Sequence, residues 1–410
     1  MDTIKNILFW FLAIILISGV VGSISAFFLV SLDFVTSTRE SQFIWVLLLP
    51  LGGLLIGYTY YYLEKDVEGG NNRLIKEMII PERKIHWKMT PLVLFGTLAT
   101  HLFGGSAGRE GTAVQMGGAT ADQLSLWWKS TEKQRKTILR MGVAAGFASI
   151  FGTPMAGIAF AYELGRDKRF HFRGALPILL ASFFGDFVCH AWQVDHTHYT
   201  IDEIPAFSLI NLLWTLVAGV AFGLTALFFS YLKVFFTKQF QQFVKFPPLR
   251  PFIGGIIIVI VVLLISDTKY LGLGIPYIQA SFSEGAASYD FIVKLLFTAF
   301  TLGAGYKGGE ATPLFFIGAT LGSALIWFIP MPISLLAALG FIAVFAGATN
   351  TPIACVLMGI EMFGGEATVY YLIVCVVAFV ISGKTSVYAE QQKILQKYSL
   401  IQRKKMNKLD

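Results

Sequence analysis

Residues 108–120 read GREGTAVQMGGAT, and residues 308–320 read GGEATPLFFIGAT. Gly, Glu, Thr, Gly, Ala and Thr recur in place at a constant shift of 200 residues. A second match, at a shift of 198 residues, pairs TPMA at 153–156 with TPIA at 351–354 and continues to a glutamate in each copy. Two separated matches at nearly one offset predict a chain built from two related halves.

The composition around this repeat is that of an integral membrane protein. Hydrophobic residues make up 55% of the 410 residues and charged residues 14%, whereas a soluble domain carries about a quarter charged residues. This excludes a soluble enzyme, a disordered chain and a secreted disulfide scaffold. The three cysteines lie far apart and no Cys/His cluster has metal spacing, so no redox site, metal site or cofactor is predicted. The net charge of +7 comes without a nucleic-acid motif and is interpreted as a topology signal.

Charge-free stretches mark the candidate membrane spans, which need about 20 apolar residues each. The longer stretches cover residues 6–32, 41–63, 89–108, 141–162, 204–232 and 311–360. Shorter ones cover residues 174–185, 251–266, 295–306 and 367–383. Such uneven lengths, interrupted by glycine and proline, are typical of transporters whose helices tilt or stop partway across the membrane. The sequence therefore predicts an all-α polytopic membrane protein, with more than one helix within 311–360.

Basic clusters give the expected orientation. They fall in residues 129–140, 166–173, 233–250 and 403–408, which are predicted to be cytoplasmic loops and a cytoplasmic tail. The segment 190–206 lacks Lys and Arg and is predicted to be external. With both termini cytoplasmic, each half crosses an odd number of times, so the halves are inverted. We expect one transmembrane domain over 1–410, with repeat 1 at about 1–195 and repeat 2 at about 205–400.

The repeated motif has the form of an anion site. In each copy a Gly-rich stretch leads into an apolar helix, and a broken helix at membrane depth is tolerated where its backbone lines a cavity. The start of such a helix offers free N–H groups and a partial positive charge. Glu110 and Glu310 stand at these two starts, where a carboxylate can occupy the anion site and withdraw on protonation. The alternative is an ordinary capping carboxylate, the interpretation we favour for Glu163 and Glu361.

Two further polar stretches are candidates for the site. The segment GGNNR at 69–73 precedes an apolar run, so it can begin another helix with amide donors, although this stretch alone favours an ordinary Gly/Asn turn. Tyr388 follows GKTS near the last span, where an interfacial tyrosine is the alternative. His101 lies in an apolar run and is expected to pack or to form a hydrogen bond. Arg109, beside Glu110, is expected to orient its loop.

Taken together, GREG at 108–111, GGEATP at 308–313, the inverted halves and the late tyrosine resemble the CLC family of anion channels and anion/proton antiporters. The resemblance covers nearly the whole chain and implies a homodimer in the lipid bilayer, with one pore in each subunit. It implies that Glu110 is the external gate. It also implies anion contacts from Gly111, Ala311, Thr312 and Tyr388.

The departures from the family pattern resemble the bacterial CLC-F branch of fluoride/proton antiporters. Asn71 takes the place of the site serine in the usual GSGIP element, although a slip of one residue would put Asn72 there. Thr112 replaces the proline after GREG, and Glu310 is an acid where the chloride proteins are apolar. Leu164 stands where chloride/proton antiporters carry an internal proton-transfer glutamate. Fluoride accepts hydrogen bonds well and needs true donors, which an Asn amide and Thr or Tyr hydroxyls supply.

The resemblance therefore implies a proton-coupled antiporter that exports fluoride across the bacterial inner membrane, without a regulatory cytoplasmic domain. A chloride/proton exchanger or a passive chloride channel of the same fold is the alternative. A membrane-embedded hydrolase ranks low because the sequence has neither GxSxG nor HExxH. A purely structural membrane protein would leave Glu110 and Glu310 unexplained.

Overall fold

The computed structural model describes residues 2–67, 69–82, 84–165, 172–391 and 393. In this part of the chain the regular structure is helical. The helices of the first half are α1 Asp2–Ser41, α2 Ile44–Leu47, α3 Leu49–Val67, α4 Gly70–Ile79, α5 Met89–Leu102, α6 Glu110–Trp127, α7 Glu132–Phe151, α8 Pro154–Gly165 and α9 Phe172–Ala191.

The helices of the second half follow the same order. They are α10 Leu209–Phe243, α11 Leu249–Ile265, α12 Ile275–Ala280, α13 Asp290–Gly303, α14 Ala311–Ala324, α15 Ile333–Thr349, α16 Pro352–Phe363 and α17 Thr368–Ser382, with a 3-10 turn at Leu325–Trp327 after α14. The repeated motif begins α6 in one half and α14 in the other, and the two TP motifs begin α8 and α16. The helix order thus agrees with the repeat inferred from the sequence.

Local sequence explains the breaks between these helices. Thr131 and Gln134 form a capping box at the start of α7, with each side chain bonding the other residue's backbone N–H. Gly152 ends α7 with a left-handed φ of 69°, and Pro154 then starts α8. Asn350 ends α15 in the same left-handed conformation, just before Thr351 and the first proline of α16. The predicted span 141–162 is therefore two helices, and 311–360 holds α14, α15 and the start of α16.

The positions of several basic residues correct the predicted loops. Lys233 and Lys238 lie inside α10 rather than in a cytoplasmic loop, because α10 continues far beyond the charge-free stretch. Arg135 lies in α7, where its guanidinium bonds Asp122 at 2.6 Å and Glu77 at 3.1 Å. Lys233 and Arg135 are thus held by contacts between helices, whereas Lys238 is exposed on α10. The basic residues at 166–171 and in the tail at 403–408 lie outside the described residues.

Burial separates a packed centre from an apolar exterior. Every residue of α14 is buried, as is every residue of α15 after Ile333. A helix that is apolar all round belongs in the interior of a bundle. Large apolar side chains such as Phe34, Phe187, Leu209 and Val380 are exposed on the outer helices. By length and composition, three helices of the described chain could cross a membrane: Ile4–Ser41, Gly174–Ala191 and Leu209–Phe243.

Candidate anion site

The two copies of the motif meet at the centre of the molecule. Gly108 and Gly309 form an antiparallel bridge, in which the Gly108 N–H donates to the Gly309 carbonyl at 2.6 Å and the Gly309 N–H donates back at 2.7 Å. A Cβ added to Gly309 would lie 2.7 Å from the backbone N of Gly111. Glycine at 309 therefore permits the start of α14 to approach the start of α6.

Glu110 is the first residue of α6, yet its carboxylate binds the start of α14. It accepts a hydrogen bond from the Thr312 backbone N–H at 3.1 Å and a second from the Thr312 hydroxyl. The Arg109 N–H also donates to it at 3.1 Å, and the Arg109 Nε lies 4.0 Å away. The side chain is only 2% exposed. A carboxylate thus occupies the amide-rich end of a helix, the place where a free anion would bind.

Glu310 has different surroundings from its repeat mate. It is the N-cap residue of α14, but its side chain makes no hydrogen bond to that helix. Instead, its buried carboxylate forms an ion pair with the part-buried Lys233 of α10, and the Lys233 ammonium also donates to the Val387 carbonyl at 3.3 Å. The simple capping alternative is therefore wrong for Glu310. Lys233 is not among the residues predicted for the site, although an ionisable residue at the end of a long apolar run is a recognisable signal.

The structure distinguishes the two candidate asparagines. The Asn72 Oδ1 accepts a hydrogen bond from the Glu390 N–H at 3.1 Å, so this side chain holds the segment after α17. Asn71 lies against the start of α6, where a Cβ added to Gly111 would be 3.0 Å from the Asn71 Nδ2. The Asn71 Oδ1 is buried without a hydrogen-bond partner. Asn71 is therefore the asparagine placed beside Gly111 and the motif.

Tyr388, near the end of the described chain, also lies in the region of the repeated motif. The residue is buried and its N–H donates to Ser386 Oγ at 3.1 Å. The preceding residue, Val387, donates its N–H to the Ala348 carbonyl at 2.9 Å and accepts from Lys233. The structure thus gathers the predicted residues Asn71, Gly111, Ala311, Thr312 and Tyr388 around the two glutamates.

One side of this region opens into a wide cavity of about 840 Å³. Its walls include three cations and three acidic residues: Arg39, Arg109, Lys269, Asp33, Glu40 and Asp195. A narrow cavity of about 20 Å³ is also lined by Arg109, and Thr312 lies in its wall. Arg109 therefore faces both cavities beside the Glu110 carboxylate. Its guanidinium thus places a positive charge at both cavities, and the narrow one reaches Thr312 at the start of α14.

Residues 52–383 match the family described as Voltage gated chloride channel. The chain belongs to this family, the CLC proteins. It is 42% identical to the Chloride/fluoride channel protein of Pseudomonas syringae pv. tomato, over 96% of this chain and 88% of that protein. It is 25% identical to the H(+)/Cl(-) exchange transporter ClcA of Vibrio cholerae, over 90% of this chain and 84% of the relative.

Solved structures carry the same CLC fold. A CLC-type fluoride/proton antiporter superposes with a TM-score of 0.91 at 34% identity, over 94% of this chain and 98% of that one. A slow cyanobacterial Cl−/H+ antiporter superposes with a TM-score of 0.81 at 20% identity, over 95% and 97%. The predicted fold class, an all-α CLC fold of two inverted repeats with broken helices, is confirmed. CLC proteins are integral membrane proteins, and so is this chain.

Proposed function

We propose that this CLC protein is a proton-coupled antiporter that exports fluoride from a bacterial cell. The observation that supports this best is the contact between the Glu110 carboxylate and the first amides of α14. A carboxylate and a fluoride ion are both negative and are drawn to the same N–H groups. Protonation of Glu110 removes its charge and weakens its hold, so proton uptake by this residue admits the anion.

The residues around Glu110 supply donors for the anion. In this proposal fluoride binds to the backbone amides of Gly111, Ala311 and Thr312 and to the hydroxyls of Thr312 and Tyr388. The Asn71 amide adds two more N–H donors. A small anion that accepts hydrogen bonds strongly gains more from such a site than chloride does. Fluoride also appears in the names of the Pseudomonas relative and of the antiporter of known structure.

Glu310 is the proposed second proton carrier. Leu164 cannot transfer a proton, so another ionisable group is needed between Glu110 and the opposite face. The ion pair of Glu310 with Lys233 lies next to Tyr388, because the Lys233 ammonium also donates to the carbonyl of the preceding residue, Val387. Lys233 supplies the countercharge that makes a buried carboxylate tolerable at this depth. When Glu310 takes up a proton, the Lys233 ammonium is released from the pair and keeps the Val387 carbonyl as its partner.

The remaining assignments follow the same proposal. The exposed apolar side chains of the outer helices support a protein embedded in a lipid bilayer, and we propose that it works there as a homodimer. We place it in the bacterial inner membrane with both termini cytoplasmic and segment 190–206 external. We also propose one transmembrane domain, with the repeats divided at about 195–205. The protein moves ions and is not an enzyme.

A chloride/proton exchanger is the second candidate, because the Vibrio relative carries that name. Purified protein in liposomes separates the candidates. With a fluoride gradient and a pH-sensitive dye, we expect outward fluoride movement to drive protons inward. We expect a matched chloride gradient to drive little proton movement. Equal proton movement with chloride would favour the exchanger. Rapid anion flux without proton movement would favour a passive channel.

A further inference from the structure

A cluster of three metal-ligating side chains lies beside the narrow cavity. Asp186 and His190 are one turn apart on α9, which puts them on the same face of the helix. His196 returns to this face from the segment after α9. The chain reverses at Gln193, which has a left-handed φ of 58° and whose N–H bonds the His190 carbonyl at 2.8 Å. The fold thus assembles a cluster whose spacing was not recognisable in the sequence.

The distances suit one shared cation. The Asp186 Oδ1 lies 3.8 Å from the His190 Nδ1 and 3.6 Å from the His196 Nε2. One ligand atom from each residue lies within 4.8 Å of the others. Ligand atoms around a tetrahedral Zn²⁺ are separated by about 3.3 Å, because the metal–ligand bonds are about 2.0–2.2 Å long. Small side-chain rotations would bring all three atoms to that spacing.

The cluster also contains polar atoms that lack hydrogen-bond partners. The His196 side chain is only 7% exposed, and its Nε2 is buried without a hydrogen bond. The Asp186 Oδ1 is buried and also has none. Buried polar atoms are nearly always hydrogen-bonded or bound to an ion. Both imidazoles approach the same carboxylate oxygen at distances too long for a hydrogen bond, which is the arrangement expected around an intervening cation.

We infer that Asp186, His190 and His196 bind a divalent transition-metal ion of the Zn²⁺ type. Two imidazoles and one carboxylate form a donor set suited to Zn²⁺, with a fourth position left for water. Mg²⁺ and Ca²⁺ prefer oxygen ligands and are poorly matched to it. Protonated imidazoles paired with Asp186 are the competing explanation. That explanation requires no metal affinity, so direct binding separates the two.

Occupancy of this site would restrain the opening toward Glu110. His196 lines the narrow cavity together with Arg109 and Thr312, the residues that contact the Glu110 carboxylate. A metal bridge from His196 to α9 would fix the segment that follows α9 against that helix. We therefore expect Zn²⁺ to slow anion movement through the narrow cavity. This goes beyond the proposed fluoride export, since metal binding requires no ion transport.

The test is calorimetric titration of ZnCl₂ into the purified protein, with MgCl₂ and CaCl₂ as comparisons. His190→Gln is the main variant, since His190 is 53% exposed and its replacement leaves the packed interior intact. His198→Gln, at an exposed histidine in the neighbouring segment, is the matched control. We expect wild type and His198→Gln to bind one Zn²⁺ per chain, and His190→Gln to bind about tenfold more weakly or worse. Absent Zn²⁺ binding by wild type, or equal affinity in His190→Gln, would overturn the site.

A flux measurement tests the consequence. In liposomes, we expect added ZnCl₂ to slow fluoride efflux through wild type and His198→Gln and to leave His190→Gln unaffected. Equal slowing of all three proteins would show that Zn²⁺ acts elsewhere. Zn²⁺ binding without any slowing would overturn the restraint on the opening. Because calorimetry uses no ion gradient, failure of the metal site is distinguishable from failure of fluoride transport.

Discussion

Glu163 and Glu361 cap each other's helices across the two halves. Glu163 on α8 accepts hydrogen bonds from the Ile353 and Ala354 N–H groups at 3.1 and 2.8 Å. Glu361 on α16 accepts from the Met155 and Ala156 N–H groups at 2.8 and 2.9 Å. The expectation that both glutamates are structural agrees with this geometry. The reciprocal contact joins α8 to α16.

Removal of one of these caps should cost stability without uncoupling transport. Glu361→Ala leaves the first amides of α8 without their acceptor, and loss of an N-terminal cap costs about 1–2 kcal/mol. We expect a lower thermal unfolding temperature in detergent and an unchanged number of protons moved per fluoride. An altered proton-to-fluoride ratio in folded Glu361→Ala would show that this residue belongs to the transport route.

Glu110→Gln should abolish proton transport. The amide keeps the shape of the protonated acid but cannot exchange a proton, so residual fluoride movement becomes passive and insensitive to an imposed pH gradient. A capping role alone predicts a loss of about 1 kcal/mol or less with coupling intact. The measurement is fluoride-driven proton uptake in liposomes, with Glu132→Gln on the exposed start of α7 as the control. Uphill proton movement by the Glu110→Gln protein would disprove the gate.

Variants of the Lys233–Glu310 ion pair separate its contribution to folding from its role in proton transport. Lys233→Ala leaves the buried Glu310 carboxylate without its countercharge, which costs about 3–5 kcal/mol. Replacement of both residues, as Lys233→Met with Glu310→Leu, should restore folding because an apolar pair avoids the desolvation cost. We expect the double variant to unfold near the wild-type temperature yet to move no protons.

Glu310→Gln completes this experiment, because it removes the titratable group while a polar side chain remains beside Lys233. We expect a folded protein that has lost fluoride-coupled proton transport. Full proton movement in either Glu310→Gln or the double variant would limit Glu310 to a structural role.

Asn71→Ser should move the anion preference toward chloride. Serine supplies one hydroxyl donor in place of the two N–H groups of the amide. A hydrogen bond to a charged partner contributes about 1.5–3 kcal/mol, so we expect the fluoride-over-chloride preference to fall by about tenfold or more. Asn72→Ser is the matched control, since Asn72 bonds Glu390 rather than facing Gly111. An unchanged preference in Asn71→Ser, or an equal fall in both variants, would count against Asn71.

Local motifs made much of the site predictable. Glu110 and Glu310 stand in a Gly-rich sequence that leads into an apolar helix, so their place at helix starts required no knowledge of tertiary contacts. The choice between Asn71 and Asn72 did require it, because both lie in the first turn of α4 and only packing decides which side chain meets α6.

The partners from distant helices could not be predicted. Lys233 contacts Glu310 because α10 extends to Phe243 and passes the start of α14. The charge pattern alone predicts a loop at this lysine. The cluster of Asp186 with His196 depends on the chain reversal at Gln193, and the sequence pattern does not predict this left-handed backbone conformation.

The close approach of Gly108 and Gly309 makes the two copies of the motif unequal. Position 309 is the repeat counterpart of Arg109, and a side chain there would collide with the backbone of Gly111. The second copy therefore cannot carry the arginine that the first copy presents to the wide cavity. The room for a single Cβ thus makes the two copies of the motif electrostatically unequal, with a guanidinium at position 109 and no side chain at position 309.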